Sequence, residues 1–170
     1  MKKLFKVALI ALCILTAGNL AKAQTKVGYI NFQAVVSQMP EAKTIKSQLD
    51  IYSKQFTDEL STMNTEYQTK VKAYQAGLAT MNDATRAAKE TELQDLQKRM
   101  SDYNTTAQQK FDEKTNELSK PLIDKVRAAI NETAKEKGYS YVFDTGSTQL
   151  LVSPEADDLM VPVKAKLGLK

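Results

Sequence analysis

From Ile45 onward, apolar side chains recur at Leu49, Tyr52, Phe56, Leu60, Met63, Tyr67, Val71, Tyr74, Leu78 and Met81. Ten steps cover thirty-six positions, an average of 3.6 residues per step, which keeps one stripe on one face of an α-helix. A second series follows at Leu93, Leu96, Met100, Tyr103, Ala107 and Phe111, then Leu118, Leu122, Val126 and Ile130. Within 41–138 the only proline is Pro121, and Gly77 is the only glycine before Gly138. The stripe lapses between Met81 and Arg86, where Asn82 or Asp83 can cap a new helix. Two one-sided helices joined by a short polar break predict an antiparallel helical hairpin. Each helix of about forty residues is on the order of 60 Å long, so the hairpin is expected to stand out as an arm. The spacing of 3.6 rather than 3.5 predicts only weak supercoiling.

The segments flanking the hairpin predict a small body at 24–40 and 139–170. Lys26 to Asn31 reads as a first strand, Phe32 to Gln38 as a helical turn, and Pro40 as starting or closely preceding the first long helix. Gly138 is placed to end the second. Tyr139 to Asp144 alternates, with Tyr139, Tyr141 and Phe143 on one face, and Thr145-Gly146-Ser147 turns into a third strand at Gln149 to Ser153. Because a hairpin returns the chain close to where it left, the second strand is expected to run antiparallel to the first. Asp157 or Asp158 then caps a terminal helix that tolerates Pro162 in its first turn. The fold class is α+β, mostly α: a long antiparallel helical hairpin on a small antiparallel β body. So little core predicts that the body oligomerises through its open sheet edges. Pro121 removes a hydrogen bond to the carbonyl of Glu117 and marks a kink or hinge in the second helix.

Met1 to Ala23 has the form of a secretory signal peptide. Lys2, Lys3 and Lys6 precede an apolar run from Val7 to Ala17, and Ala21 and Ala23 provide the small residues before a cut at Gln24. The run is too short to span a bilayer, so an exported, soluble chain without stable membrane insertion is expected. Removing the leader takes away Lys2, Lys3, Lys6 and Lys22: the 24 basic residues less these four leave 20, against 20 acidic. The processed chain is therefore balanced, and the basic pI of about 9.0 gives no reason to expect nucleic acid as a partner. Mixed charges such as Glu90, Glu92, Asp95, Lys98 and Arg99 read as a solvated helix face.

The chain has no histidine, and its single cysteine, Cys13, lies in the leader. The commonest general base and metal ligands, every Cys or Ser/His triad and every disulfide framework are thereby excluded. Asp144-Thr145-Gly146-Ser147 is a turn, not a phosphate loop. No enzyme activity, cofactor or metal is expected, which leaves binding. Tyr52, Met63, Tyr67, Tyr74, Met81, Met100 and Tyr103 either fill the seam between the helices or partly face a bound partner. Tyr74, Leu78, Met81 and Met100 are the candidates for contact, Leu78 and Met81 foremost because the seam ends there.

The succession of a leader, Val27-Gly28-Tyr29-Ile30-Asn31, Met39-Pro40-Glu41 before a charged helical hairpin, Gly138-Tyr139-Ser140-Tyr141-Val142-Phe143-Asp144 and a final helix from Asp158 resembles the Skp family of OmpH-like outer-membrane chaperones. The resemblance implies a homotrimer whose bodies assemble a β-barrel and whose arms surround a cavity. It implies an ATP-independent periplasmic holdase that keeps unfolded outer-membrane β-barrel proteins from aggregating before insertion. By the same resemblance Val27, Tyr29, Ile30, Tyr141, Val142, Phe143, Leu150 and Val152 supply the oligomerising body, and Leu78, Met81 and the inward arm faces line the cavity. Unlike the strongly basic relatives, this processed chain is balanced, so no basic residue is assigned to lipopolysaccharide or to acidic clients. The competing expectation is an exported coiled-coil spacer of the cell envelope.

Overall fold

The computed structural model describes residues 25–169; the signal-peptide expectation for Met1 to Ala23, with Ala21 and Ala23 at the cut, lies outside them. The elements in order are β1 (Val27–Ile30), α1 (Phe32–Gln38), α2 (Pro40–Gly77), α3 (Asp83–Glu136), β2 (Tyr141–Asp144), a 3-10 turn (Glu155–Asp157) and α4 (Met160–Lys166). The chain is mostly helical, as the pattern predicts. It packs as two compact units, one comprising the described residues to Val35 with Val126 onward, the other Val36–Lys125.

In the second unit, α2 and α3 form the expected antiparallel hairpin. Asn82 caps α3, its Oδ1 accepting from the backbone N–H of Thr85 at 2.8 Å, and Pro40 opens α2, where a missing N–H costs nothing. The register is fixed by pairs that face one another across the seam. Tyr74 meets Glu90, Tyr67 meets Gln97, Phe56 lies 6.2 Å from Tyr103 between ring centres, and Glu41 meets Lys125. Threonines in both helices return their hydroxyls to the carbonyl four residues back, as Thr57, Thr65 and Thr69 do. That bond satisfies a polar β-branched side chain without interrupting the helix.

The first unit corrects the expected sheet. β1 and β2 run parallel, with Val27 beside Tyr141 and Ile30 beside Asp144. The cause is the unequal length of the two helices, 38 residues in α2 and 54 in α3. Beyond the Glu41–Lys125 pair, α3 continues from Val126 to Glu136, roughly 16 Å of extra rise. It thus delivers the chain to the beginning of β1 rather than its end, and the Ser140 N–H donates to the carbonyl of Lys26 at 2.8 Å. A crossover of this kind yields a parallel pair.

The helix stops where predicted. Gly138 has a φ of +72°, the Tyr139 N–H bonds the carbonyl of Ala134 and the Gly138 N–H that of Lys135, the paired bonds of a Schellman motif. Tyr139 then lies before β2 and packs its ring on Gly28. It therefore does not share a face with Tyr141 and Phe143, which point to the opposite side of the pleat. A Cβ on Gly28 would stand 3.0 Å from that ring, which accounts for glycine there. The ammonium of Lys26 sits 3.9 Å over the same ring.

The third strand at Gln149 to Ser153 does not form within this chain. The other edge of β1 is taken by a single parallel bridge from Tyr29 to Asp158, with the Leu159 N–H donating to the Tyr29 carbonyl at 2.9 Å. The core of this unit joins Ile30, Val35, Val126, Ile130, Leu159 and Val163, all buried. Asp158 accepts from the Met160 N–H at 2.7 Å, but the residue at the cap of α4 is Leu159, which makes no side-chain cap bond, so the acidic cap expected at Asp157 or Asp158 is replaced by a turn just ahead of the helix.

Replacing Gly138 by alanine adds a Cβ that meets nothing within 4 Å, so only the left-handed backbone is strained. We expect Gly138→Ala to destabilise the first unit by about 1 kcal/mol, read as a lowered urea midpoint with unchanged slope.

Candidate functional site

Two surfaces carry the residues singled out from the sequence, and each lies within one unit. On the sheet, alternation places Val27, Tyr29, Tyr141 and Phe143 on one face. Val27, Tyr141 and Phe143 are exposed, Tyr141 by 62%, and Tyr29 is half-buried. Ile30 and Val142 lie on the opposite face, Ile30 fully buried in its own core and Val142 half-buried. Leu150 is half-buried, whereas Leu151 and Val152 are 92% and 84% exposed. Leu151 was not among the predicted residues, although the same apolar run contains it. Among the described residues the outer edge of β2 pairs with no strand, and a groove of about 530 Å³ runs beside it, lined by Phe32, Arg127, Asn131 and Lys135 among others.

The hairpin carries the second surface. No residue of α2 is fully buried. Ile45, Leu49, Tyr52, Phe56, Leu60, Met63, Tyr67, Val71 and Tyr74 are each half-buried, because one partner helix covers one flank of the stripe and leaves the other accessible. Leu78 is 42% exposed beside the turn, and Met81 folds back so that its methyl group occupies the space next to Gly77. Met100 is half-buried, and Pro121 is exposed within the continuous α3. Tyr74, Leu78 and Met81 thus gather near the turn, while Met100 lies farther along α3, with the Tyr67–Gln97 contact between it and that group.

Charge organises the hairpin differently along its length. In its proximal half Phe56 stacks edge-on with Tyr52 at 4.9 Å and approaches Tyr103. Toward the turn the cross-helix contacts are polar. Lys70 donates to Glu92, Tyr74 donates to Glu90 at 2.6 Å, and Gln97 donates to Tyr67 at 2.5 Å. Hydrogen bonds from Lys70 and from Lys89 hold the Glu92 carboxyl at about 2, well below its ordinary 4.5, and the bond to Glu92 raises Lys70. A depressed carboxyl stabilises the fold fully above 4.5 and loses that effect only as pH falls toward 2. A raised ammonium stabilises it below 10.5 and loses the effect as pH rises through its folded value. Both members of the pair therefore stay charged across the whole neutral range. Periodicity could not reveal this cluster, since its members meet only once the register of the hairpin is known.

Among the described residues, no group of histidine, cysteine and carboxylate side chains has the arrangement of a metal site, and no helix is long and apolar enough to cross a membrane. What the two surfaces offer is apolar area with polar borders.

Comparison with known proteins agrees with this architecture. The chaperone protein Skp of Yersinia enterocolitica is 26% identical over 150 residues, covering 86% of this chain and 88% of that protein. The Skp of Photorhabdus luminescens is 24% identical over 153 residues, covering 90% and 92%. A crystal structure of an OmpH-like protein from Caulobacter crescentus superimposes with a TM-score of 0.67 at 17% identity over 86% of each chain, a likeness of fold. The model of the family described as outer membrane protein (OmpH-like) matches residues 26–167, nearly all of the described chain, and this protein belongs to that family.

Proposed function

We propose that the protein is an ATP-independent periplasmic holdase that binds unfolded outer-membrane β-barrel proteins in a cavity between the hairpins of a homotrimer. The observation that carries this reading is the half-covered stripe of α2. A two-helix seam leaves an accessible flank on each of a long row of aliphatic, aromatic and methionine side chains. An unfolded polypeptide meets many weak sites at once, and their joint effect exceeds any one affinity without nucleotide turnover. Methionine and tyrosine suit such contacts because they adapt to unrelated sequences. The names of the Yersinia and Photorhabdus relatives, both chaperones, support a binding role over catalysis.

Assembly follows from what the small body leaves open. The outer edge of β2, the apolar sheet face and the exposed Leu151 and Val152 are all unsatisfied in one chain. We place the subunit contacts there, through Val27, Tyr29, Tyr141, Val142, Phe143, Leu150 and Val152, with 149–153 pairing in a neighbouring copy rather than its own. Ile30, buried within its own unit, supports this surface from beneath. The leader directs export and is removed after Ala23, and Pro121 gives α3 a site of bending.

Residues 24–170, supplied in stoichiometric amount, are expected to suppress aggregation of a urea-unfolded outer-membrane barrel on dilution, measured by light scattering; scattering equal to the chaperone-free control refutes the proposal. Sedimentation should return the mass of three chains. Phe143→Asp, which puts a charge on the exposed sheet face, should shift that mass to single chains and weaken holding. Filaments, or a wild-type monomer, would instead favour an envelope spacer.

A further inference from the structure

The seam of the hairpin is built from two materials, and the change occurs near Leu96. From Tyr67 to Gln97, Leu96 is the only fully buried residue, and the segment beyond it toward the turn is joined across the helices by Lys70–Glu92 and Tyr74–Glu90. Lys89 reinforces Glu92 from its own helix, and Glu66 lies 3.6 Å from Lys70. Between and beneath these polar contacts sit Val71, Met81 and Leu93, half-buried, with Leu78 beside them. Small residues, Ala73, Ala76, Ala79, Ala84, Ala87 and Ala88, occupy much of the rest and are exposed. Little apolar burial therefore opposes separation of the two strands of the hairpin here.

We infer that the segment from Tyr67 to Gln97 is a charge-fastened clasp that opens when an unfolded, apolar-rich polypeptide is captured, so that client side chains replace the partner helix against Val71, Leu78, Met81 and Leu93. This rests on the holdase reading above. The physical balance favours such exchange. Lys70 and Glu92 are half-buried and still reached by water, so salt weakens their pairing, while an entering apolar segment brings back the burial that opening gives up. The proximal seam has an ion pair of its own, Glu41–Lys125, but adds to it the aromatic packing of Tyr52, Phe56 and Tyr103, and stays shut. The closed clasp thus keeps Val71, Met81 and Leu93 half-buried until a ligand able to cover them enters, which limits self-association.

Because residues 24–170 contain no cysteine, Lys70→Cys/Glu92→Cys can be joined specifically by a short bismaleimide across the clasp. Without the linker this variant lacks the central ion pair, and with it the clasp cannot open. Amide exchange in 70–76 and 87–93 of the unlinked variant should be several-fold faster than in wild type, with amides around Phe56 and Tyr103 unchanged. In wild type the same distal amides should speed up in about 1 M salt, where the Debye length falls to about 3 Å. The linked form should lose most of its suppression of barrel aggregation, and the unlinked form should keep it. Equal suppression by linked and unlinked protein overturns the clasp, as does distal exchange insensitive to both salt and the substitutions. Wild-type protein that suppresses nothing would overturn the holdase reading instead.

Discussion

A helix with an apolar stripe along one face needs more than one neighbour to cover it, and α2 has one. That geometric shortfall governs the molecule. Over its 38 residues α2 buries no side chain completely, yet the helix is kept by a proline at its start, by hydroxyl bonds back to its own carbonyls and by ion pairs one turn apart. Such devices maintain the helix without consuming its stripe. The accessible flank is therefore a surface in reserve, and the proposed binding of unfolded chains would draw on it.

The same reasoning explains why the first unit is small. Val126 to Glu136 both completes α3 and supplies core side chains Val126, Ile130, Thr133 and Ala134 to the unit holding β1, β2 and α4. Economy of this kind has a topological effect. By running on past Lys125, α3 sets the direction in which β2 enters the sheet, and among the described residues the outer edge of β2 and one apolar face stay uncovered. The last eleven residues of α3 thus bear on which strand edge and which face of this unit stay open among the described residues.

Much of this was legible in the residues themselves, and the pattern of success has a physical basis. The helical spacing from Ile45 to Met81, the cap at Asn82 and the stop at Gly138 are local, each decided within a turn or two of chain. The sense of the sheet was not local, because it depends on how far α3 outruns α2, and a 3.6-residue repeat is silent on where the partner helix ends. Tyr139 departs from the alternation expected of it because the backbone bends at Ser140, between it and Tyr141, which the unbroken pattern in the sequence does not reveal. The apolar run at Gln149 to Ser153 has the composition of a strand but finds no edge in its own chain, Asp158 having taken the free side of β1. Lys70, Glu90 and Glu92 looked like any solvated charges until the hairpin register brought them together.

Why the distal seam should be fastened by charge follows from competing demands on one stretch of helix. Extending the Tyr52–Phe56–Tyr103 style of packing to the turn would add burial, but a tip sealed by apolar contact would yield only to a ligand offering more apolar area than the seam itself. Leaving the tip unfastened would present Leu78, Met81 and Leu93 to other copies of the protein. Lys70 and Glu92 meet both demands, since their pairing holds the strands in register across the neutral pH range yet adds little to the cost of separating them. Position along the hairpin then becomes a gradient of resistance, firm at Glu41–Lys125 and the aromatic cluster and weak beyond Leu96. A client entering from the tip would meet the least resistance first and be stopped where aromatic packing begins.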